Sequence, residues 1–129
     1  MLGYCDRNPG TQSYPAAVLK PFYPNTGDFI ALIGNLKTLR DLFRLRNSFR
    51  KSGTKSEFLP VPNKGKMASD TRRSDHAPFW DAGYPAIMVT DTSFLRNPHY
   101  HKPSDKIDSL DLDFLTGVCR GLEEGIRRL

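Results

Sequence analysis

The run Asp28-Phe29-Ile30-Ala31-Leu32-Ile33-Gly34-Asn35 constrains the fold more than any other stretch. It is apolar at nearly every position and lacks the alternation of a strand with one wet face. Such a strand is buried on both faces, as in a parallel sheet covered by helices. Gly34-Asn35 ends it, and the apolar period then changes. Leu36, Leu39, Leu42, Phe43 and Phe49 recur at helical spacing, which predicts a helix from about Lys37 to Lys51 with a stop at Ser52-Gly53. Glu57 to Val61 reads as a short strand near a sheet edge, because Pro60 has no amide hydrogen to give to a ladder. Strands alternating with helices define the α/β class.

The rest of the chain fits a three-layer α/β/α arrangement. Met1-Leu2-Gly3-Tyr4 looks like the tail of a further strand. Asp6 to Gly27 reads as one long loop carrying Pro9, Pro15, Pro21 and Pro24. Structureless connections longer than about 15 residues are uncommon, and they are usually functional or lie over a partner surface. The competing reading packs this loop on the domain through Tyr14, Phe22 and Tyr23. Residues 62–73 are a polar loop. Ser74 to Gly83 predicts a short helix, capped by Ser74 or Asp75, with Ala77, Trp80 and Ala82 turned inward. Ala86 to Thr90 follows as a buried strand. A last helix begins near Asp111, with Leu112, Leu115, Val118, Cys119, Leu122, Ile126 and Leu129 as its docking stripe.

Length and charge narrow the function classes. A chain of 129 residues is one domain with room for a core. No apolar run approaches the roughly 20 residues that span a bilayer, and the N-terminal MLGYCDRNPG has no apolar core of a signal peptide. Cys5 and Cys119 are either two thiols or one disulfide. The net charge of +5 is mild. Arg40, Arg44, Arg46, Arg50 and Lys51 line the first helix, but no aromatics interleave them for base stacking. They read as a solvated face, so neither nucleic acid nor a membrane is an expected partner.

The candidate chemistry lies between Ser74 and Asp105, which holds all three histidines, His76, His99 and His101. Histidines at i and i+2 of an extended segment project to one side, where two imidazoles can meet one metal. Surface histidine pairs are common, so the spacing alone leaves metal binding open. Asp75 either caps the following helix or orients a histidine or a substrate amine. Serine, histidine and aspartate are all present, but no Gly-x-Ser-x-Gly elbow supports a serine hydrolase.

SDHAPFWDAGYPAIMVTDT followed by RNPHYHKPSDKIDSLD resembles the C-terminal part of the co-catalytic zinc exopeptidases, the aminopeptidase Y-like family that includes glutaminyl cyclases and transferrin-receptor-like proteins. Met1-Leu2-Gly3-Tyr4 and Gly27-Asp28-Phe29-Ile30 resemble central strands of the same family. The resemblance implies a zinc-exopeptidase fold and, for the complete enzyme, two zinc ions and release of N-terminal residues from a peptide substrate. It implies His101 as a metal ligand and Asp75 beside the site, orienting catalytic groups or substrate. His76 and Tyr100 fall on the substrate side, and His99 matches no ligand position. It also implies that the remaining ligands and the glutamate base lie before residue 1. A zinc site needs three or four protein ligands. The expectation is therefore an incomplete C-terminal portion, inactive and metal-free alone, or else a non-catalytic interaction domain of the same fold or a portion of a glutaminyl cyclase-like enzyme. A further expectation is self-association through an exposed strand edge near residues 1–4 or 28–34.

Overall fold

The computed structural model describes all residues, Met1 to Leu129. Its strands are β1 (Asp6–Pro9), β2 (Thr26–Gly27), β3 (Ile30–Asn35), β4 (Ser56–Val61) and β5 (Ile87–Thr90). Its helices are α1 (Leu39–Lys51), α2 (His76–Asp81) and α3 (Leu112–Ile126). The main sheet has the order β4-β3-β5. β3 pairs parallel with β4, Leu32 opposite Phe58, and antiparallel with β5, Leu32 opposite Val89. The chain is a mixed α/β fold, and the sheet is mixed where an all-parallel one was expected.

β3 is the most deeply buried strand because it has neighbours on both sides. It is therefore not an edge, which corrects the expectation that residues 28–34 offer one. The free edges are those of β4 and β5. Pro60 lies on the β4 edge, where the Tyr23 hydroxyl also donates to the Phe58 carbonyl at 2.9 Å. The β5 edge has no such guard, and Ile87, Met88 and Val89 are half-exposed while Thr90 is buried. Met1 to Tyr4 forms no strand. It is an extended segment pinned by three bonds: Asp91 N–H to Met1 C=O, Asp111 N–H to Gly3 C=O, and Tyr4 N–H to the Asp91 carboxylate. The expected long loop contains β1, which turns back and pairs antiparallel with β2.

Alternation divides the sheet into two faces. Ile30 and Leu32 point toward α1 and α3 and join Leu42, Leu45, Phe49, Phe114 and Val118 in the main core. Ile87 and Val89 pack against that cluster from β5. The two long helices thus share one side of the sheet. On the other side Ala31, Ile33, Leu59 and Met88 face a concavity bordered by loops, not a full helical layer.

α3 docks on α1 by a route the apolar stripe did not reveal. Gly117, Gly121 and Gly125 recur every fourth residue and turn one face of α3 into bare backbone. A Cβ on Gly121 would lie 2.7 Å from Phe49 Cε1, and one on Gly125 would lie 2.6 Å from Leu45 Cδ2. With Phe114 and Val118, Gly121 and Gly125 form the buried face, while the half-buried Gly117 lies against Thr54 beyond the end of α1. Of the expected stripe, Val118 is fully buried and Leu122 packs against the core, while Leu112, Ile126 and Leu129 are exposed. The α2 prediction holds at Ala77 and Trp80, which are buried, and fails at Ala82, which is exposed. Asp75 precedes α2 without a side-chain cap bond. Cys5 and Cys119 are both free thiols.

Candidate functional site

The concavity on the open face of the sheet is a cavity of about 400 Å³. Its floor is apolar, made by Ala31 and Ile33 of β3, Leu59 of β4 and Met88 of β5. Its rim is polar and aromatic. Tyr14 stands on one side, Asp70, Arg73 and Ser74 on another, and Phe94, Tyr100, His101 and Asp105 on a third. A dry floor with a few convergent polar groups is the usual form of a small-ligand site.

The rim is built from backbone that few sequences adopt. Thr92, Ser93 and His101 are non-glycine residues with φ of 69°, 48° and 57°. Left-handed backbone is costly for such residues, above all for a β-branched threonine. It is held here by specific bonds. Asp91 is fully buried, and its carboxylate accepts from Tyr4 N–H at 3.0 Å and Ser93 N–H at 3.1 Å. The Thr90 hydroxyl accepts from Thr92 N–H at 3.0 Å. Strained backbone of this kind gathers at functional sites.

Arg96 is the centre of that support. It is 6% exposed, and its guanidinium lies 4.7 Å from the Phe29 ring centre. It donates to the Gln12 side-chain oxygen at 2.8 Å and to the Phe29 carbonyl at 2.8 Å, with a longer bond to the Tyr4 carbonyl. Burial lowers its proton affinity, and the Asp91 charge acts to restore it. Asp91 and Arg96 thus tie together the N-terminal segment, the turn at Gln12 and the entry to β3. Opposite them the Tyr14 hydroxyl donates to the Pro24 carbonyl, and burial pushes its pKa up to about 12.

His101 and Tyr100 meet on this rim. Their rings stack with centres 4.0 Å apart and planes 15° apart, and Phe94 sits 6.1 Å from Tyr100. The Arg73 guanidinium lies 4.4 Å from the Phe94 ring centre and 3.7 Å from the Asp70 carboxylate. Asp75 is exposed and does not itself line the cavity, but its neighbour Ser74 does. Ser74 and His101 therefore open onto the same cavity, with Asp75 next to Ser74 in sequence but off its lining. His76 does not. It is buried, with Nε2 2.7 Å from the Thr71 carbonyl and its ring edge-on to Trp80 at 4.4 Å. This corrects its expected place among the substrate contacts: it fastens the loop that carries Asp70 and Arg73. Burial lowers its pKa. His99 bonds Ser104 across its own loop, Nδ1 to Oγ at 3.0 Å.

Sequence reasoning missed Arg96, Asp91 and Arg73. Arg96 was legible only as a single base in a polar loop, and nothing local marks it as buried. Among all residues, no three His, Cys, Asp or Glu side chains converge where one metal ion would sit. Since zinc takes three or four protein ligands, the donors present here do not fit a zinc ion by themselves.

The family model of peptidase family M28 matches residues 28–122, a span holding Asp75, His76, Tyr100 and His101, and the chain belongs to that family. The family is one of metallopeptidases, hence hydrolases. One relative in Escherichia coli (strain K12), uncharacterized protein YfbL, is 34% identical over 122 residues. That alignment takes in 95% of this chain and 37% of the relative, so the chain spans little over a third of the relative's length. No solved structure matches.

Proposed function

We infer that the chain supplies one wall of the active site of a zinc-dependent aminopeptidase-type hydrolase, which releases N-terminal residues from peptides. The observation that carries this reading is His101. It is held in left-handed backbone on the rim of an apolar cavity, within the residues that match the peptidase family. His101 offers one imidazole to the metal centre, and Tyr100 fixes the plane of that ring by stacking on it. Asp75, on the turn beside the cavity, orients groups at the site. The apolar floor takes the side chain of the residue to be released.

On this reading the isolated chain binds no zinc and cleaves nothing, since a zinc site takes three or four protein ligands. The remaining donors belong to the part of the family's chain that it does not span. That part covers the open sheet face and the β5 edge, which completes a three-layer exopeptidase fold. The same absence of a convergent donor set favours a second reading, a non-catalytic interaction domain of this fold.

The test is a chimera in which this chain replaces the matching segment of the YfbL protein. Zinc content and hydrolysis of aminoacyl anilides are measured for the chimera, its His101→Gly variant and the isolated chain. The expected result is a zinc-loaded active chimera, with metal and activity lost in His101→Gly while the fold remains. Stoichiometric zinc and cleavage in the isolated chain would refute the shared-site reading. A folded chimera without metal or activity would select the non-catalytic one.

A further inference from the structure

The loop that brings Tyr100 and His101 to the cavity begins at Asn97 and closes at Asp105, and one buried side chain fastens it. Asn97 is 2% exposed. Its side-chain oxygen accepts from His99 N–H at 2.8 Å, and its side-chain nitrogen donates to the Asp105 carboxylate at 3.3 Å. A backbone N–H can only donate and a carboxylate only accept, so these partners fix which end of the amide is which. Pro98, between Asn97 and His99, has a fixed φ and no N–H to compete for the amide oxygen. The Asn97 carbonyl accepts from Tyr100 N–H at 3.3 Å. Other bonds across this loop are exposed: His99 Nδ1 to Ser104 Oγ, and Lys102 Nζ to the Pro98 carbonyl. Water replaces those at little cost, whereas a buried amide left without a partner costs about 1–3 kcal/mol.

We propose that Asn97 is the positioning residue of the cavity rim: its amide clamps both ends of the loop, so that the stacked Tyr100 and His101 rings stand over the cavity. The clamp is tied to the rigid part of the molecule. Asn97 N–H donates to the Ser93 carbonyl at 2.7 Å, and Ser93 N–H donates to the buried Asp91 carboxylate at 3.1 Å. A continuous series of bonds therefore runs from Asp91 through Ser93 and Asn97 to His99, Tyr100 and Asp105. His101 lies inside the clamped span with φ of 57°, a conformation that a loose loop gives up. The two rings keep their 4.0 Å stack only while that backbone is held. Asn97 acts through the backbone beneath the rings, by its bonds at His99, Tyr100 and Asp105. The inference rests on the reading of His101 as a residue of the site and adds what places it there.

The test uses the direction of the bond between Asn97 and Asp105. Asn97→Asp sets two carboxylates against each other and opens the clamp, yet keeps an acceptor for His99 N–H. Asp105→Asn keeps an acceptor for the Asn97 amide. The double variant Asn97→Asp/Asp105→Asn reverses donor and acceptor and closes the clamp again. Proton NMR of the isolated chain reads the His101 ring, assigned by the signals that vanish in His101→Gln. In the wild type and in Asp105→Asn the Tyr100 ring shifts these signals upfield. The shift is lost in Asn97→Asp and returns in the double variant. Methyl signals of Ile30, Leu32 and Val118 in the core stay in place throughout, as the check on the fold. In the chimera with the YfbL protein, Asn97→Asp lowers kcat/KM by about 100-fold, the order expected for a site group displaced by about 1 Å, and the double variant recovers it. A wild-type ring shift in Asn97→Asp overturns the proposal, even where the urea midpoint falls, because Asn97 is then merely structural. So does a double variant no better than the single one, or an active chimera whose kcat/KM ignores Asn97→Asp. A chimera inactive from the start, with ring shifts that still follow the series, refutes the catalytic reading and leaves the placement by Asn97 upheld.

Discussion

Gly121→Ala puts one methyl group where α3 meets α1, and two effects oppose each other there. Alanine is favoured over glycine in a helix by about 1 kcal/mol, so propensity alone predicts stabilisation. The added Cβ, however, would lie 2.7 Å from Phe49 Cε1 and 2.9 Å from Phe49 Cγ. Phe49 has no exposed surface and sits in the main core, so its ring has nowhere to go. Overpacking of a filled core costs about 1–3 kcal/mol, and a rigid ring places this site at the upper end. The net expectation is a loss of about 1–2 kcal/mol, or roughly 4–8 °C in melting temperature for a domain of this size. Gly125→Ala is the internal control. Its Cβ would meet only the terminal methyl of Leu45, at 2.6 Å, and a leucine can shift that group. Steric cost and propensity gain then cancel to within about 0.5 kcal/mol. Urea titration followed by circular dichroism measures both variants, with an unchanged slope as the check that only stability moved. Phe49→Leu in the same background removes the obstructing edge and recovers part of the Gly121→Ala loss. If Gly121→Ala stabilises the protein, or costs no more than Gly125→Ala, the glycine-mediated docking of α3 is wrong.

Two further perturbations address the rim and the loop below it. Arg96→Met strips the donor from the Gln12 side chain and from the Phe29 and Tyr4 carbonyls, so it should cost about 2–4 kcal/mol by urea titration. Arg120→Met, on the exposed side of α3, should stay within about 0.5 kcal/mol; equal effects would remove Arg96 from the centre of the support. His76 is neutral when folded, because burial lowers its pKa below the ordinary 6.5; Arg72 acts in the same direction, while the Thr71 bond and Asp75 act against it. The unfolded chain therefore takes up a proton first as pH falls. The His76 contribution is complete above about pH 6.5 and declines below it, by about 1.4 kcal/mol for each tenfold difference in proton affinity between the two states. A His76→Asn variant should lose this pH dependence between pH 7 and 5, and a wild-type stability flat over that range would count against it.

The parts legible in the sequence were those fixed by local pattern. β3 and α1 lie within two residues of where periodicity placed them, and Pro60 marked its strand as an edge. The direction of β5 was not legible, because a four-residue apolar strand carries no signal for parallel or antiparallel pairing. α3 was legible in part: Val118 and Leu122 of its apolar period do pack on the core, but Leu112, Ile126 and Leu129 stay exposed and the closest approach to α1 is made at glycines. Glycine at every fourth position of a helix is a signal of close approach, and it stood in the sequence at 117, 121 and 125. At the site, His101 and Tyr100 lie in one polar stretch with Ser74, and these three line one cavity, whereas Asp75 does not. Asp70 and Arg73 reach it only because His76 folds their loop back, a tertiary effect without a local mark.

The Arg96 cluster also sets an order of assembly. Its bonds join residues 84 to 92 positions apart, Gln12 and Tyr4 on one side and Arg96 on the other. During synthesis the first strands and α1 can collapse as they emerge, but the cavity rim must wait until Arg96 has left the ribosome. Long-range closures of this kind slow folding and leave intermediates exposed. Until Arg96 arrives, the half-made sheet stays open to other chains, so crowding and slow translation before that codon are when this protein is most at risk of misassembly.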